Sequence, residues 1–218
     1  MSRTEQVVKR RRGGQVHCWL ATSLTRIFPT TVAGGAAILH LQAARNSRLA
    51  FQICLQNQSL APLQVTCSAE EQPGLRCQVR RVGYVPLWQH TTETALEYLD
   101  GLNALPGLTP DPLYPEPHAQ VGPFANQSFW VSVTIAGEVA PGHHVLTVRL
   151  AFAEEKAEVA FTVELSVSAL VLKPRRNFPV THWWRAEAIW DWYRTEPFDE
   201  RWWQIVEPYL SNLRNCLR

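Results

Sequence analysis

The sequence has little charge of either sign and no long apolar run. Charged residues make up 18% of its 218 positions, and the formal net charge is +2. Because nucleic-acid-binding surfaces are strongly basic, we expect no nucleic-acid partner. No segment reaches the roughly 20 apolar residues that a membrane helix requires, so we expect no membrane partner either. The dense basic run at 9–12 lies in a polar arm, residues 1–14, which we interpret as a solvated tail, with anion contact as the alternative.

Potential metal ligands and paired cysteines are also scarce. The five cysteines are odd in number and form no C-x-x-C pair, and the histidines do not cluster. The pair His143-His144 has no third ligand nearby, so we expect no metal and no cofactor. Buried free thiols in a reducing compartment are the favoured interpretation. A disulfide between Cys67 and Cys77, across the Pro73-Gly74 turn, is sterically conceivable, but nothing else in the sequence supports it.

Export and phosphate-binding signals are weak or missing. The apolar stretch VHCWLATSL after the basic arm is short, is broken by polar residues and lacks a cleavage site. We therefore interpret it as a strand and expect a cytoplasmic protein. Asn57-Gln58-Ser59 and Asn126-Gln127-Ser128 match the glycosylation pattern, which matters only in a secretory pathway. There is no glycine-rich phosphate loop and no G-x-S-x-G nucleophile elbow.

Short runs of alternating apolar residues dominate residues 15–172. The run 129–135 alternates Phe129, Val131, Val133 and Ile135 against polar neighbours, and similar runs occur roughly every 8 to 12 residues, which predicts an antiparallel β-sandwich. The runs at 36–42 and 49–55 flank turn residues and predict a hairpin. Six prolines punctuate the region around 103–123, so we predict a long ordered loop there.

From residue 173 to 218 the pattern changes, and six of the nine tryptophans lie in this part. Residues 178–184 could form one more strand, and 186–193 have helical composition. Asp199 is a suitable N-cap for a helix that runs to about Arg214, with an apolar stripe at helical spacing that includes Trp202 and Val206. The fold class is therefore mainly β, an antiparallel β-sandwich followed by a short β/α segment.

Several segments resemble one family in their order along the chain. They are WLATSLTRIF at 19–28, LQAARN at 41–46 with FQ at 51–52, PDPLYP at 110–115, NQSFWV at 126–131 with APG at 140–142, and FPVTHWWRAEAIWDWYRTEPFDERWW at 178–203. Together they resemble glycoside hydrolase family 123 and its bacterial relatives, whose N-terminal β-sandwich precedes a (β/α)8 barrel. The family usually reads A-A-R-N-E where this chain has Ser47. By this resemblance, 173–218 is the truncated first β/α unit of a glycosidase-like barrel.

The resemblance implies a carbohydrate-active protein whose full-length relative hydrolyses glycosidic bonds of 2-acetamido sugars. In that family an Asp on a later barrel strand orients the acetamido group, and an adjacent Glu acts as general acid/base. Here no Asp-Glu pair sits at a strand end, and Asp199-Glu200 opens a predicted helix, where acids favour the dipole. We therefore assign no catalytic residue and expect a non-catalytic accessory or structural module.

The resemblance places five candidate substrate-binding residues at or after the first barrel strand, where a tryptophan could stack on a sugar and a carboxylate could bind hydroxyls. They are His182, Trp183, Trp184, Glu187 and Asp191. Barrel and inter-domain packing is the alternative for the aromatic ones, and a solvated helix face is the alternative for the acids.

Two other functions remain open at this point. One is a free-standing carbohydrate-binding sandwich, with Trp88, Trp130 or Trp184 stacking on sugar rings. The other is an autonomous hydrolase, which requires two carboxylates about 5 to 9.5 Å apart in a cleft. Under the favoured accessory role, the tryptophan-rich C-terminal segment would expose apolar surface and lead to self-association.

Overall fold

The computed structural model describes residues 9–10, 16–99, 101, 104–153, 157–173 and 185–216, without the side chains of 9–10 and 214–216. The chain forms two compact units, Met1–Leu172 and Lys173–Arg218. None of the helices in these described ranges is long and apolar enough to span a lipid bilayer.

The first unit consists of two β-sheets. Its strands are β1 (Lys9–Arg10), β2 (Val16–Thr22), β3 (Ile38–Arg45), β4 (Ser47–Asn57), β5 (Leu63–Ala69), β6 (Leu75–Leu87), β7 (Gly107–Tyr114), β8 (His118–Val121), β9 (Asn126–Ile135), β10 (Gly142–Phe152) and β11 (Ala157–Val171). A six-stranded sheet has the order β1-β2-β4-β9-β6-β7, and a five-stranded sheet has the order β3-β11-β10-β5-β8. The prediction of a mainly β sandwich is confirmed, with the addition that β3 and β11 pair in parallel.

The core follows from the alternation of side chains along each strand. In β10, Leu146, Val148 and Leu150 are buried, whereas the intervening Thr147 and Arg149 are half-buried. Successive side chains of a strand point to opposite faces, so this period of two marks the face that packs between the sheets. Burial of apolar area of this kind is the main favourable term in folding.

The hairpin predicted between 36–42 and 49–55 is wrong, because the chain changes sheet there. Asn46 adopts a left-handed conformation, with φ of 55°, and β3 and β4 lie in different sheets. Arg45 Nη2 donates to Ala169 O at 2.7 Å, and Asn46 Nδ2 donates to Leu172 O at 2.6 Å. The A-A-R-N segment thus ties this crossover to the end of β11.

The predicted loop at 103–123 is wrong for two stretches, which form the edge strands β7 and β8. Pro110 and Pro112 lie within β7, at the rim of the six-stranded sheet. Proline cannot donate a backbone hydrogen bond, but an edge strand has one side without a partner strand and tolerates it. The prolines correctly excluded a central strand, but they are compatible with the edge strand that β7 forms.

Four of the cysteines form no disulfide. Cys18, Cys54 and Cys67 are buried and Cys77 is half-buried, and Cys67 is not bridged to Cys77. Burial raises the pKa of Cys67 to about 12, and burial together with Glu71 raises that of Cys77 to about 11. Their thiols are therefore protonated at neutral pH and are poor nucleophiles. The prediction of free thiols is confirmed for these four residues.

The second unit contains two helices, α1 (Glu187–Tyr193) and α2 (Glu200–Cys216). Asp199 Oδ1 accepts a 2.6 Å hydrogen bond from the Trp202 N–H and so caps α2, as predicted. Ile189, Trp202 and Val206 pack together as a small core. The strand predicted at 178–184 lies outside the described residues.

The buried amide of Asn57 tests how much hydrogen bonds from side chains to backbone carbonyl oxygens stabilise the first unit. Its Nδ2 donates to the carbonyl oxygens of Ala61, Val121 and Gly122 at 2.8, 3.2 and 3.1 Å. Asn57→Asp replaces this donor with an acceptor, so we expect a loss of about 3 kcal/mol in unfolding free energy. Urea denaturation at neutral pH measures it. The control is Gln58→Glu at an exposed position, and we expect it to change the unfolding free energy by less than about 0.5 kcal/mol. If both variants lost the same stability, the hydrogen bonds of Asn57 would not be the cause.

Candidate functional site

A surface cleft of about 340 Å³ lies next to the end of β6 and the start of β7. One wall comes from the loop after β2, and the other comes from residues 87–105. Its polar lining consists of Arg26, Gln89, His90, Thr91 and Thr109. This cleft brings together segments that are distant in the sequence.

The first wall is the 22–31 loop, which is held by polar side chains of the six-stranded sheet. Gln52 of β4, buried to 3% exposure, donates from Nε2 to Thr22 O at 3.1 Å and to Thr25 O at 2.7 Å. The hydroxyl of Tyr84 in β6 lies 3.2 Å from Ile27 O. Burial raises the pKa of Tyr84 well above its usual value, so this hydroxyl stays protonated and can donate.

Asn126 of β9 completes the attachment of the 22–31 loop. Its Nδ2 donates to Phe28 O at 3.0 Å and to Thr31 O at 2.6 Å. The Phe28 ring lines the cleft and packs closely against Gly101, whose φ is +71°. A Cβ at Gly101 would overlap this ring, so both the backbone conformation and the contact require glycine.

The second wall carries exposed aromatic side chains. Tyr98, at the end of the short 3-10 helix Leu96–Tyr98, lines the cleft and is 77% exposed. Trp88, which lies between the lining residues Leu87 and Gln89 in the chain, is 83% exposed. Large exposed aromatic side chains near a concave surface are typical of interaction sites.

Thr109 of β7 lines the cleft, but its Oγ1 is buried and has no hydrogen-bond partner in the described part of the chain. Because this oxygen is shielded from solvent, Thr109 presents its other atoms to the cleft.

The described lining of the cleft consists of neutral polar groups, one arginine and apolar side chains. No carboxylate is among its described lining residues. Acid/base cleavage of a glycosidic bond ordinarily uses two of them. Within the described ranges, no three His, Cys, Asp or Glu side chains are close enough to hold a metal ion.

The predicted site residues lie elsewhere. His182, Trp183 and Trp184 are outside the described residues. Glu187 and Asp191 are both exposed on α1, in the other unit, and neither lines the cleft. Their role in substrate binding stays a prediction.

The cleft residues themselves were missed by the sequence analysis, which singled out only Trp88 from this region. Residues 88–99 have neither strand nor helix periodicity. Arg26 and Phe28 lie in the segment WLATSLTRIF, which was quoted for the resemblance and not as part of a site. The only signal was the pair of large aromatic residues, Trp88 and Tyr98, in a stretch without an apolar face. Such residues have no core to join and tend to remain at the surface.

The first unit is a β-sandwich with a surface cleft whose described lining includes the exposed Tyr98. No family model matches the chain, and no curated protein matches it. Its fold is similar to the structure of a family 123 glycoside hydrolase from Clostridium perfringens, described for glycolipid glycan hydrolysis, with a TM-score of 0.67 and 13% identity. The match covers 93% of this chain but only 37% of that one.

Other similar structures share less. A FixG-related protein from Vibrio parahaemolyticus has a TM-score of 0.38 and 6% identity, over 70% of this chain and 96% of that one. The CupB2 chaperone of Pseudomonas aeruginosa has a TM-score of 0.34 and 9% identity, over 62% of this chain and 55% of that one.

The attachment of the 22–31 loop gives a second test. Gln52→Met keeps the side-chain length but removes the donor to two carbonyl oxygens, so we expect a loss of about 2 kcal/mol in unfolding free energy. Hydrogen exchange measured by mass spectrometry should become faster in a peptide covering 22–31 and stay unchanged in β10. Gln78→Met, at an exposed position of β6, is the control. Unchanged exchange in 22–31 would show that Gln52 does not fix the loop.

Proposed function

We propose that residues 15–172 form the non-catalytic, accessory β-sandwich of a glycoside-hydrolase-like protein, and that 173–218 correspond to the first β/α unit of its (β/α)8 barrel. The observation that carries this proposal is the extent of the structural similarity. A match over 93% of 218 residues is longer than the 172 residues of the first unit, so it includes part of the second. The whole protein would act on glycosidic bonds, with 2-acetamido sugars as the expected substrate class.

The acidic residues of the second unit support a non-catalytic role. Asp199 is engaged as the N-cap of α2 through its bond to the Trp202 N–H. Glu187 and Asp191 are exposed in α1, where water stabilises their charge. A catalytic acid in a glycosidase ordinarily lies in a cleft opposite a second carboxylate, with the scissile bond between them, and an exposed helix face does not provide such a cleft.

Exposed apolar side chains in the second unit support its assignment to a barrel. Trp192 is 81% exposed, and Phe198, Tyr209 and Leu210 are also exposed. Apolar surface of this kind in a helical segment is expected where further elements pack against it. In a (β/α)8 barrel, neighbouring helices and strands would cover these residues.

A direct test is the hydrolysis of p-nitrophenyl glycosides, including 2-acetamido sugars, by the purified chain. We expect no release of p-nitrophenol above that of a variant carrying Glu187→Gln and Asp191→Asn, because neither acid lines the cleft and the described lining holds no carboxylate. Absorbance measures the product. Turnover by the unaltered chain that is lost in the variant would contradict the non-catalytic role.

The barrel assignment predicts self-association through the second unit. We expect sedimentation equilibrium to show association that weakens at least tenfold when Trp192→Gln and Leu210→Gln are combined, since each removes apolar area worth roughly 1.5–3 kcal/mol when buried. Trp88→Gln, an equally exposed tryptophan in the first unit, is the matched control and should leave association unchanged. A monomer at all concentrations would count against an uncovered barrel face.

A further inference from the structure

We propose that the cleft of the first unit is a binding site for a neutral carbohydrate, a short saccharide or the terminal sugar of a longer one. The juxtaposition that carries this inference is an exposed tyrosine ring beside neutral hydrogen-bonding groups and one arginine. The proposal does not depend on the accessory role, because every residue involved lies in the first unit.

The size of the cleft favours a small ligand. Its volume of about 340 Å³ is at the lower end of the range of roughly 300–1,000 Å³ that small-molecule sites occupy. A site of this size can enclose a terminal sugar and leave the remainder of a chain in water. Two further pockets of the described residues, beside Gln42 and Glu71, have no aromatic side chain in their lining.

The polar groups suit a ligand with many hydroxyls. Gln89 carries a donor and an acceptor in one side chain, and Thr91 offers a hydroxyl that can do either. Arg26 adds donors that a sugar oxygen can accept.

The tyrosine of the cleft suits the flat apolar face of a sugar ring. Tyr98 lines the cleft and is largely exposed, so its ring offers apolar area with a polar edge. A nucleotide fits less well, because Arg26 is the one lysine or arginine among the described lining residues. The chain's near-neutral charge agrees with an uncharged ligand.

The wall that carries Arg26 and Phe28 is held in place before any ligand arrives. Side chains of Gln52, Tyr84 and Asn126 bond to carbonyl oxygens of the 22–31 loop. A loop fixed in this way loses little conformational freedom on binding, which favours affinity.

The test uses the full-length chain and a panel of methyl glycosides of glucose, galactose, mannose, N-acetylglucosamine and N-acetylgalactosamine, with AMP and inorganic phosphate as further probes. Saturation-transfer NMR detects binding, and isothermal titration measures Kd. We expect at least one glycoside to bind and AMP and phosphate not to bind. Tyr98→Ala should weaken binding at least tenfold, and Gln89→Ala, at an exposed lining position, should weaken it several-fold.

Controls separate this proposal from the accessory role. Tyr98 is exposed, so Tyr98→Ala should leave the thermal unfolding midpoint unchanged. Trp192→Gln, an exposed aromatic residue of the second unit, should leave sugar binding unchanged while it alters self-association. The proposal is overturned if none of the five glycosides binds, if binding survives Tyr98→Ala, or if AMP or phosphate binds in their place. None of these outcomes bears on glycoside turnover or on self-association.

Discussion

The six-stranded sheet is covered on one face by the five-stranded sheet and in part on the other by the loop after β2, and this constraint determines much of the rest of the first unit. Its inner face packs against the five-stranded sheet, and Trp19, Ala21, Ile27 and Cys54 form a separate buried cluster. Ile27 belongs to the loop that follows β2, so this loop must be fixed against the sheet. A buried loop carries backbone carbonyl groups that need donors, because an unsatisfied one costs about 1–3 kcal/mol. Long polar side chains from the sheet supply these donors. They therefore determine where the 22–31 loop lies, and this loop forms the first wall of the cleft.

This arrangement explains why several polar residues are deeply buried. Asn57 and Asn126 both open sequences that match the glycosylation pattern, which in a sequence indicates a surface loop. Here both are almost completely buried, and their amide groups bind backbone carbonyl oxygens. The folded chain therefore presents neither asparagine for modification. Amides suit this position because they donate without bringing a charge into the protein interior.

The sequence was sufficient for the sandwich and for helix α2, because alternation and capping are local patterns. It was insufficient for the crossover at Asn46, because a chain that changes sheet shows the same alternation on either side of a turn as a hairpin does. Proline in β7 excluded a central strand but carried no signal for pairing at an edge. The cleft could not be predicted, since it joins the 22–31 loop to residues 87–109, which are distant in the chain and lack periodicity.

The tryptophans show why abundance of an aromatic residue is weak evidence for a binding surface. Trp19 is fully buried and Trp202 is 3% exposed, and both serve a core. Trp88 and Trp192 are equally exposed but differ in their surroundings. Trp88 is next in the chain to polar residues that line a cleft, whereas Trp192 lies on a helix near other exposed apolar side chains. A sugar requires hydrogen bonds as well as a flat apolar contact, and packing against another protein element does not. The surroundings of Trp88 therefore favour ligand binding, and those of Trp192 favour burial by further helices or strands.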